Sequence, residues 1–341
     1  MVEKTAVTGF HLEHKKVYLY DINSAYPYAM TQIPSFLNCK YIVKDGKNIK
    51  VDNKLEGIYR INALSTCLFN STFDHDFTPL KQLNNIWITS YELKSLLNYG
   101  CIKKLKINAA ILIVPQTKEN PLSDYAKKYY SLKQTTPKNS ALYPFYKITM
   151  LNSLYGKFIE RRYDESLDYS LRGPNYNPAI ATLITGFTRA QLHNMEHIGE
   201  ALHSATDSVF TYKKMETSEE LGGVSLEGYG KLQMFRTKCY MFWSKEKPTG
   251  KEIIKDKEGM YLFKYAYHGF HGDIKQLINL WNTRGRPQPS SFNGEKLKKN
   301  QYLYKKMPTS KEFFIRKKSK LKLFGMNDLI ATLNIDWRNL Q

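Results

Sequence analysis

Residues 16–27 read KVYLYDINSAYP, and the rest of the chain is best read outward from them. Val17 to Tyr20 are β-formers, and the polar Asn23-Ser24 pair then stops the run. The stretch SAYPYAM that follows reads as a turn into a short helix. A strand thus delivers Asp21 at its C-terminal end. Further along, 204–211 (SATDSVFT) reads as one arm of a hairpin, with Thr206 and Asp207 at its tip or just past it. Phosphoryl or nucleotidyl transfer by two metal ions needs carboxylates from separate strands, because cations about 3.5–4 Å apart must both be neutralised. Asp21 and Asp207 have small or hydroxylated residues beside them, which leaves room for a triphosphate and for water on magnesium. The plain alternative is that each aspartate only forms its turn.

The bulk properties favour a nucleic-acid partner. The formal charge is +20, from 51 basic and 31 acidic side chains, and such an excess attracts polyanions. The 25 tyrosines and 17 phenylalanines interleaved with the lysines suit stacking on bases beside phosphate contacts. Apolar runs such as 109–114 are far too short to span a bilayer, and MVEKTAVTGF lacks the features of a secretory leader, so a cytoplasmic setting without membrane association is expected. Cys39, Cys67, Cys101 and Cys239 form no CxxC pair, from which reduced thiols and no structural zinc are expected.

Three ordered stretches carry a resemblance. YLYDINSAYP (18–27) resembles motif A of the family B DNA polymerases, DxxSLYP; MLNSLYGKF (150–158) resembles the NSxYG core of motif B; ATDSVF (205–210) resembles motif C, DTDS. RTKCYMF (236–242) is similar to the KxY motif of the protein-primed branch, and LGGVSLEGYG (221–230), with Glu227, to what precedes it. The resemblance covers roughly residues 7–242.

It implies a DNA-directed DNA polymerase of the viral, phage or plasmid type, working on primer-template DNA and deoxynucleoside triphosphates. Asp21 and Asp207, with the Ile22 backbone, would hold two Mg2+ ions, with Mn2+ as a substitute. Ser24 and Ala25 would line the triphosphate pocket, and Tyr26 would be the steric gate against a 2′-hydroxyl. Among the nucleotide-binding residues, Tyr155 would pack on the nascent base pair and Asn152 would reach the template side. Ser153, Gly156, Thr206 and Ser208 would serve the DNA and the metal turn. Lys238 and Tyr240 would hold the primer end. A terminal protein as primer and a separate exonuclease are the further partners implied, with no exonuclease in this chain.

Two motifs depart from the pattern. Ala205 stands where motif C usually has its first aspartate. The triphosphate lysine of motif B would fall at Ile148, whereas Lys147 lies one residue earlier, about 100° round an α-helix. The long, flexible Lys147 side chain could still reach a phosphate, especially if the helix has a local bulge, and Lys133 or Lys138 would add a second charge. Ala205 and Ile148 also leave open a degenerate polymerase that only binds nucleic acid.

The expected fold is α+β, a right hand with an antiparallel palm sheet, helical fingers and a small thumb. Its expected parts are palm at 1–60 and 177–260 and a terminal-protein-region-like insertion at 61–120. Fingers with a shortened second insertion follow at 121–176, and a basic thumb and tail at 261–341. The insertion should hold strands at GIYRINAL, NIWITS and AAILIV around a helix near 91–98, and another helix should run over 177–200, opened by Pro178.

Overall fold

A computed structural model describes residues 12–65, 82–164, 169–236, 239–248, 252–267 and 273–284. Strand β1 (Leu12–Ile22) turns into helix α1 (Ala25–Gln32). Strands β2 (Lys40–Ile49), β3 (Gly57–Ser65) and β4 (Gln82–Thr89), helix α2 (Ser90–Asn98) and strand β5 (Ile102–Val114) follow, then helix α3 (Pro121–Thr135). A π-helical segment, Phe145–Asn152, lies between short helical turns at Leu142–Pro144 and Leu154–Lys157. The chain continues through β6 (Arg161–Asp164), β7 (Tyr169–Arg172), the long helix α4 (Pro178–Gly199), β8 (Ala201–Ala205), β9 (Ser208–Thr211), β10 (Val224–Arg236), β11 (Cys239–Ser244), β12 (Tyr261–Tyr267) and α5 (Ile274–Arg284).

Two sheets carry the architecture. The larger is antiparallel at every pairing, ordered β12-β11-β10-β1-β9-β8. Its central strand β1 is apolar on both sides, as a strand covered on both faces must be. Val17 and Leu19 enter one core with Phe210, Leu232 and Phe242. Tyr20 and Ile22 enter the other, where Leu192 and Met195 of α4 cover them. The smaller sheet, ordered β2-β5-β3-β4, buries Tyr59, Ile61, Leu83, Ile88 and Leu112 beneath α2.

Helix α4 joins the two sheets. Asn177 caps its start, the side chain accepting from the Ile180 N–H at 3.2 Å, and Pro178 occupies the first turn. Arg189 of α4 donates to the buried Glu92 carboxylate of α2 at 2.6 Å, and Glu92 also completes the capping box with Thr89. Gly186 lets the helix pass over Thr89, since a Cβ there would sit 2.4 Å from the Thr89 side chain.

Several expectations are revised. The smaller sheet begins at residue 40, so the expected palm boundary at 60 falls inside β3, whose pairing partners β4 and β5 all come later in the chain. Residues 261–267 were expected in the thumb, but their alternating YLFKYAY pattern makes β12, the edge strand of the large sheet. The stretch expected as the shortened insertion, about 161–177, holds a two-stranded hairpin, β6 with β7. The lysine-rich stretch 296–323 lies outside the described residues, as does Lys238. No helix among the described residues is long and apolar enough to cross a membrane.

Candidate active site

Asp21 ends β1 between two partner strands, opposite Ser208 of β9 and Ser225 of β10. The tip of the β8–β9 hairpin, Thr206-Asp207, folds over the same edge, and the Ile22 N–H donates to the Asp207 carbonyl at 3.0 Å. Two aspartates far apart in sequence therefore meet across one ladder. The tip is tight: Thr206 has φ 61°, a left-handed conformation that a β-branched residue rarely adopts. Ser24, at φ 53°, makes the corresponding turn after Asp21 and leads into α1.

A loop closes behind this turn. The Asn23 N–H donates to Gly223 O, and Gly222 N–H to Asn23 O, each at 2.8 Å. Gly222 has φ +79°, and a Cβ there would lie 2.1 Å from Tyr28 Cγ. Gly222→Ala is therefore expected to cost about 3 kcal/mol, combining left-handed strain with overpacking, and equilibrium denaturation should read this directly.

The carboxylates repel. Burial first, then Asp207 and Glu227, raise the Asp21 carboxyl from 3.8 to about 7. Asp207 is raised as well, chiefly by burial. Glu227, on β10, is the third acid of the cluster. Lys264 of β12 answers it: its ammonium donates to Glu227 Oε2 at 2.9 Å and to Ser208 Oγ at 3.3 Å. Burial works against the Lys264 charge, but Glu227 and Asp21 outweigh it and raise its pKa.

Sequence reasoning gave neither Glu227 nor Lys264 a role. The readable signal for Lys264 was its place in the alternating YLFKYAY strand. Glu227 was visible in LGGVSLEGYG, but only the pairing of β10 with β1 brings it near enough to Asp21 to raise that carboxyl. A cluster of hard oxygen donors whose carboxylates repel one another fits a hard divalent cation, which would relieve that repulsion.

On the other side of the cluster stand the basic residues. Lys147 lowers the carboxyl pKa of both aspartates by its charge. It does so from the π-helical segment, where the Ser153 N–H reaches back five residues to Ile148 O at 3.0 Å. The wider turn aligns residues five apart, so Lys147 shares the Asn152 side as position 148 would on an α-helix. Tyr125 of α3 holds the segment, its hydroxyl donating to Met150 O at 3.0 Å. Lys133 donates to Ser24 Oγ at 3.1 Å and lies over the Tyr130 ring. Burial and Lys147 lower the Lys133 pKa, as two cations facing one pocket require.

The remaining expected residues divide. Tyr26 and Tyr155 stack on each other with centroids 4.1 Å apart and an interplanar angle of 16°. Burial and Tyr155 raise the Tyr26 hydroxyl to about 12. Ala25 is buried in the core beneath the turn. Asn152 and Ser153 are exposed, and a Cβ on Gly156 would meet nothing within 4 Å, so that face is open. Tyr240 is buried against Phe210 and His203, with Lys264 and Glu227 near enough to bias its hydroxyl.

Residues 7–170 match the family model described as DNA polymerase type B, organellar and viral. A protein named DNA polymerase from Acidianus bottle-shaped virus (isolate Italy/Pozzuoli) is 26% identical over 234 residues, covering 63% of this chain and 34% of that protein. Phi29 DNA polymerase complexed with primer-template DNA and incoming nucleotide aligns with a TM-score of 0.54 at 19% identity, over 81% of this chain and 56% of that one. Its binary complex with primer-template DNA gives 0.55 at 16% identity, over 84% and 59%. The chain thus spans about a third of the curated relative's length and somewhat over half of the solved chains'. The α+β fold is that of the polymerase right hand, and the match to the organellar and viral type B DNA polymerases covers just under half of the chain, residues 7–170.

Proposed function

We propose that the chain is the synthesising part of a template-directed DNA polymerase that adds deoxynucleotides to a primer 3′-hydroxyl, or to a protein hydroxyl at initiation. The observation that carries this reading is the meeting of Asp21 and Asp207 at one sheet edge, with Glu227 beside them and Lys147 and Lys133 facing them. Asp21, Asp207 and the Ile22 carbonyl would hold two Mg2+ ions, with Mn2+ able to substitute. Bound there, the ions would activate the attacking hydroxyl and neutralise the leaving pyrophosphate.

The chain's own side chains do the positioning. Lys147 and Lys133 are placed to neutralise the triphosphate, as point charges on flexible stems. Ser24, with Ala25 packed beneath it, lines the same pocket. Tyr26 lies where a sugar would pass, and Tyr155 offers a flat face to the nascent base pair. Glu227 and Lys264 hold Ser208 and the hairpin tip in register, and Tyr240 braces them near the primer end. In this reading the large sheet is the palm, residues 121–157 are fingers, and the smaller sheet is the insertion for a priming protein.

Primer extension with the purified chain tests the reading. Incorporation in Mg2+ or Mn2+ is expected, and no incorporation in either would leave only a nucleic-acid-binding protein. Tyr26→Ala should relax exclusion of ribonucleotides on the order of 10²-fold, the scale at which a pocket rejects one added hydroxyl. Unchanged sugar selectivity would remove Tyr26 as the gate.

A further inference from the structure

The absence of CxxC pairs led to the expectation of reduced thiols and no zinc, yet Cys101 is disulfide-bonded and also stands against two histidines of α4. His193 and His197, four apart, project from one face of the helix. Their Nε2 atoms are 3.2 Å apart, and Cys101 Sγ lies 3.8 Å from the first and 3.4 Å from the second. Tetrahedral zinc, with bonds of about 2.05 Å to nitrogen and 2.3 Å to sulfur, sets its donors about 3.3 Å (N···N) and about 3.6 Å (N···S) apart. The three atoms therefore already have the spacing of one face of a zinc tetrahedron.

The surroundings orient the donors. The Ser95 hydroxyl donates to Asn194 Oδ1 at 2.6 Å, so at 2.8 Å from His193 Nδ1 it accepts the ring N–H. That fixes the tautomer and leaves a lone pair on His193 Nε2, the atom turned to the cluster, as outer partners of metal-bound histidines do. Tyr99 stacks on His197 with centroids 4.3 Å apart and planes 7° apart, holding the second ring. Cys101 and His193 are buried. The cluster lies apart from Asp21 and Asp207, at the junction where α2, the start of β5 and the last turns of α4 meet.

We propose that His193, His197 and Cys101 form a zinc-class site that becomes complete when the Cys101 disulfide is reduced. A dithiol or phosphine reductant supplies two electrons and, with two protons, converts the disulfide into two thiols. Binding then releases the Cys101 thiol proton, and the thiolate joins two neutral imidazoles. A water takes the fourth position. The bound ion ties the small sheet to the helix that covers the strand of Asp21, and that tie forms only once the Cys101 sulfur is reduced.

The test uses the whole chain in excess Mg2+, which occupies the carboxylate cluster, and Co2+ as the spectroscopic probe. Phosphine-reduced protein is expected to bind one Co2+ with intense tetrahedral d–d absorption and a thiolate-to-cobalt charge-transfer band. Cys101→Ser should lose that band and bind at least about 10-fold more weakly, and His197→Ala about 100-fold more weakly, on the scale of lost ligands and their supports. His197→Ala should still extend primers, which separates this site from catalysis. Oxidised wild type should lack the band. Zn2+ at a hundred times its Kd should raise the Tm of reduced wild type by about 5 °C or more. No charge-transfer band in reduced wild type, or its survival in Cys101→Ser, overturns the proposal.

Discussion

Asp207→Ala is expected to lower primer extension by at least about 10³-fold, since metal-borne stabilisation of several kcal/mol corresponds to that factor. Asp21→Ala should do the same. The two residues come from strands paired at Asp21–Ser208 and cannot replace one another, because each closes a different turn onto the shared edge. Glu227 alters the expected ranking. It faces the same pair but is already engaged by Lys264 at 2.9 Å, so Glu227→Gln should weaken synthesis without abolishing it. Ala205→Asp would add a carboxylate at the strand position next to the hairpin tip, and activity should stay level or rise. Single-turnover rates at saturating nucleotide distinguish these outcomes. Synthesis by Asp207→Ala near the wild-type rate would remove the carboxylate pair as the catalytic centre.

The second large effect concerns stability rather than rate. Asp21 releases its proton near 3.8 when unfolded and at about 7 when folded and metal-free. Between those values the folded chain carries the extra proton, so the free energy of unfolding falls as pH rises through that window. At one pKa unit per 1.36 kcal/mol, the loss from this residue is on the order of 4 kcal/mol by pH 8. Asp21→Asn should remove most of that slope and make the metal-free protein more stable than wild type above pH 7. Urea denaturation in a chelator at several pH values between 4.5 and 8 reads this directly. Adding Mg2+ should stabilise wild type most at high pH and Asp21→Asn little. A wild-type slope equal to that of Asp21→Asn would disprove the account.

Local chemistry explains which elements could be read in advance. The strand ending at Asp21, the helix opened by Asn177 and Pro178, and the hairpin at Asp207 all announce themselves through patterns a few residues long. What was not legible depends on partners distant in the chain. Residues 40–60 join the second sheet because β5 pairs with them, and nothing within 40–60 reveals that. Lys264 becomes an active-site neighbour because β12 adds to β11, and β11 to β10, bringing it level with Glu227. Lys147 was legible only conditionally, through the mismatch of one residue that the π-helical turn absorbs. Cys101, His193 and His197 are unremarkable in sequence, since the single cysteine and the helical histidine pair come together only when α2 packs on α4.

The stacked rings of Tyr26 and Tyr155 have a consequence for traffic through the site. At rest the pocket is filled by its own walls, which prefer each other by roughly 0.5–1.5 kcal/mol beyond their area burial. In the proposed reading a nucleotide would therefore meet a site that is open only part of the time. Its apparent affinity falls by the same fraction, about 2- to 10-fold. In the proposed reading a correctly paired base would offer Tyr155 a replacement surface of equal size, whereas a mispaired one would offer a tilted one. The resting stack would then be a reference state against which each arriving base is weighed, and in that reading fidelity would begin with two side chains that must be given a reason to part.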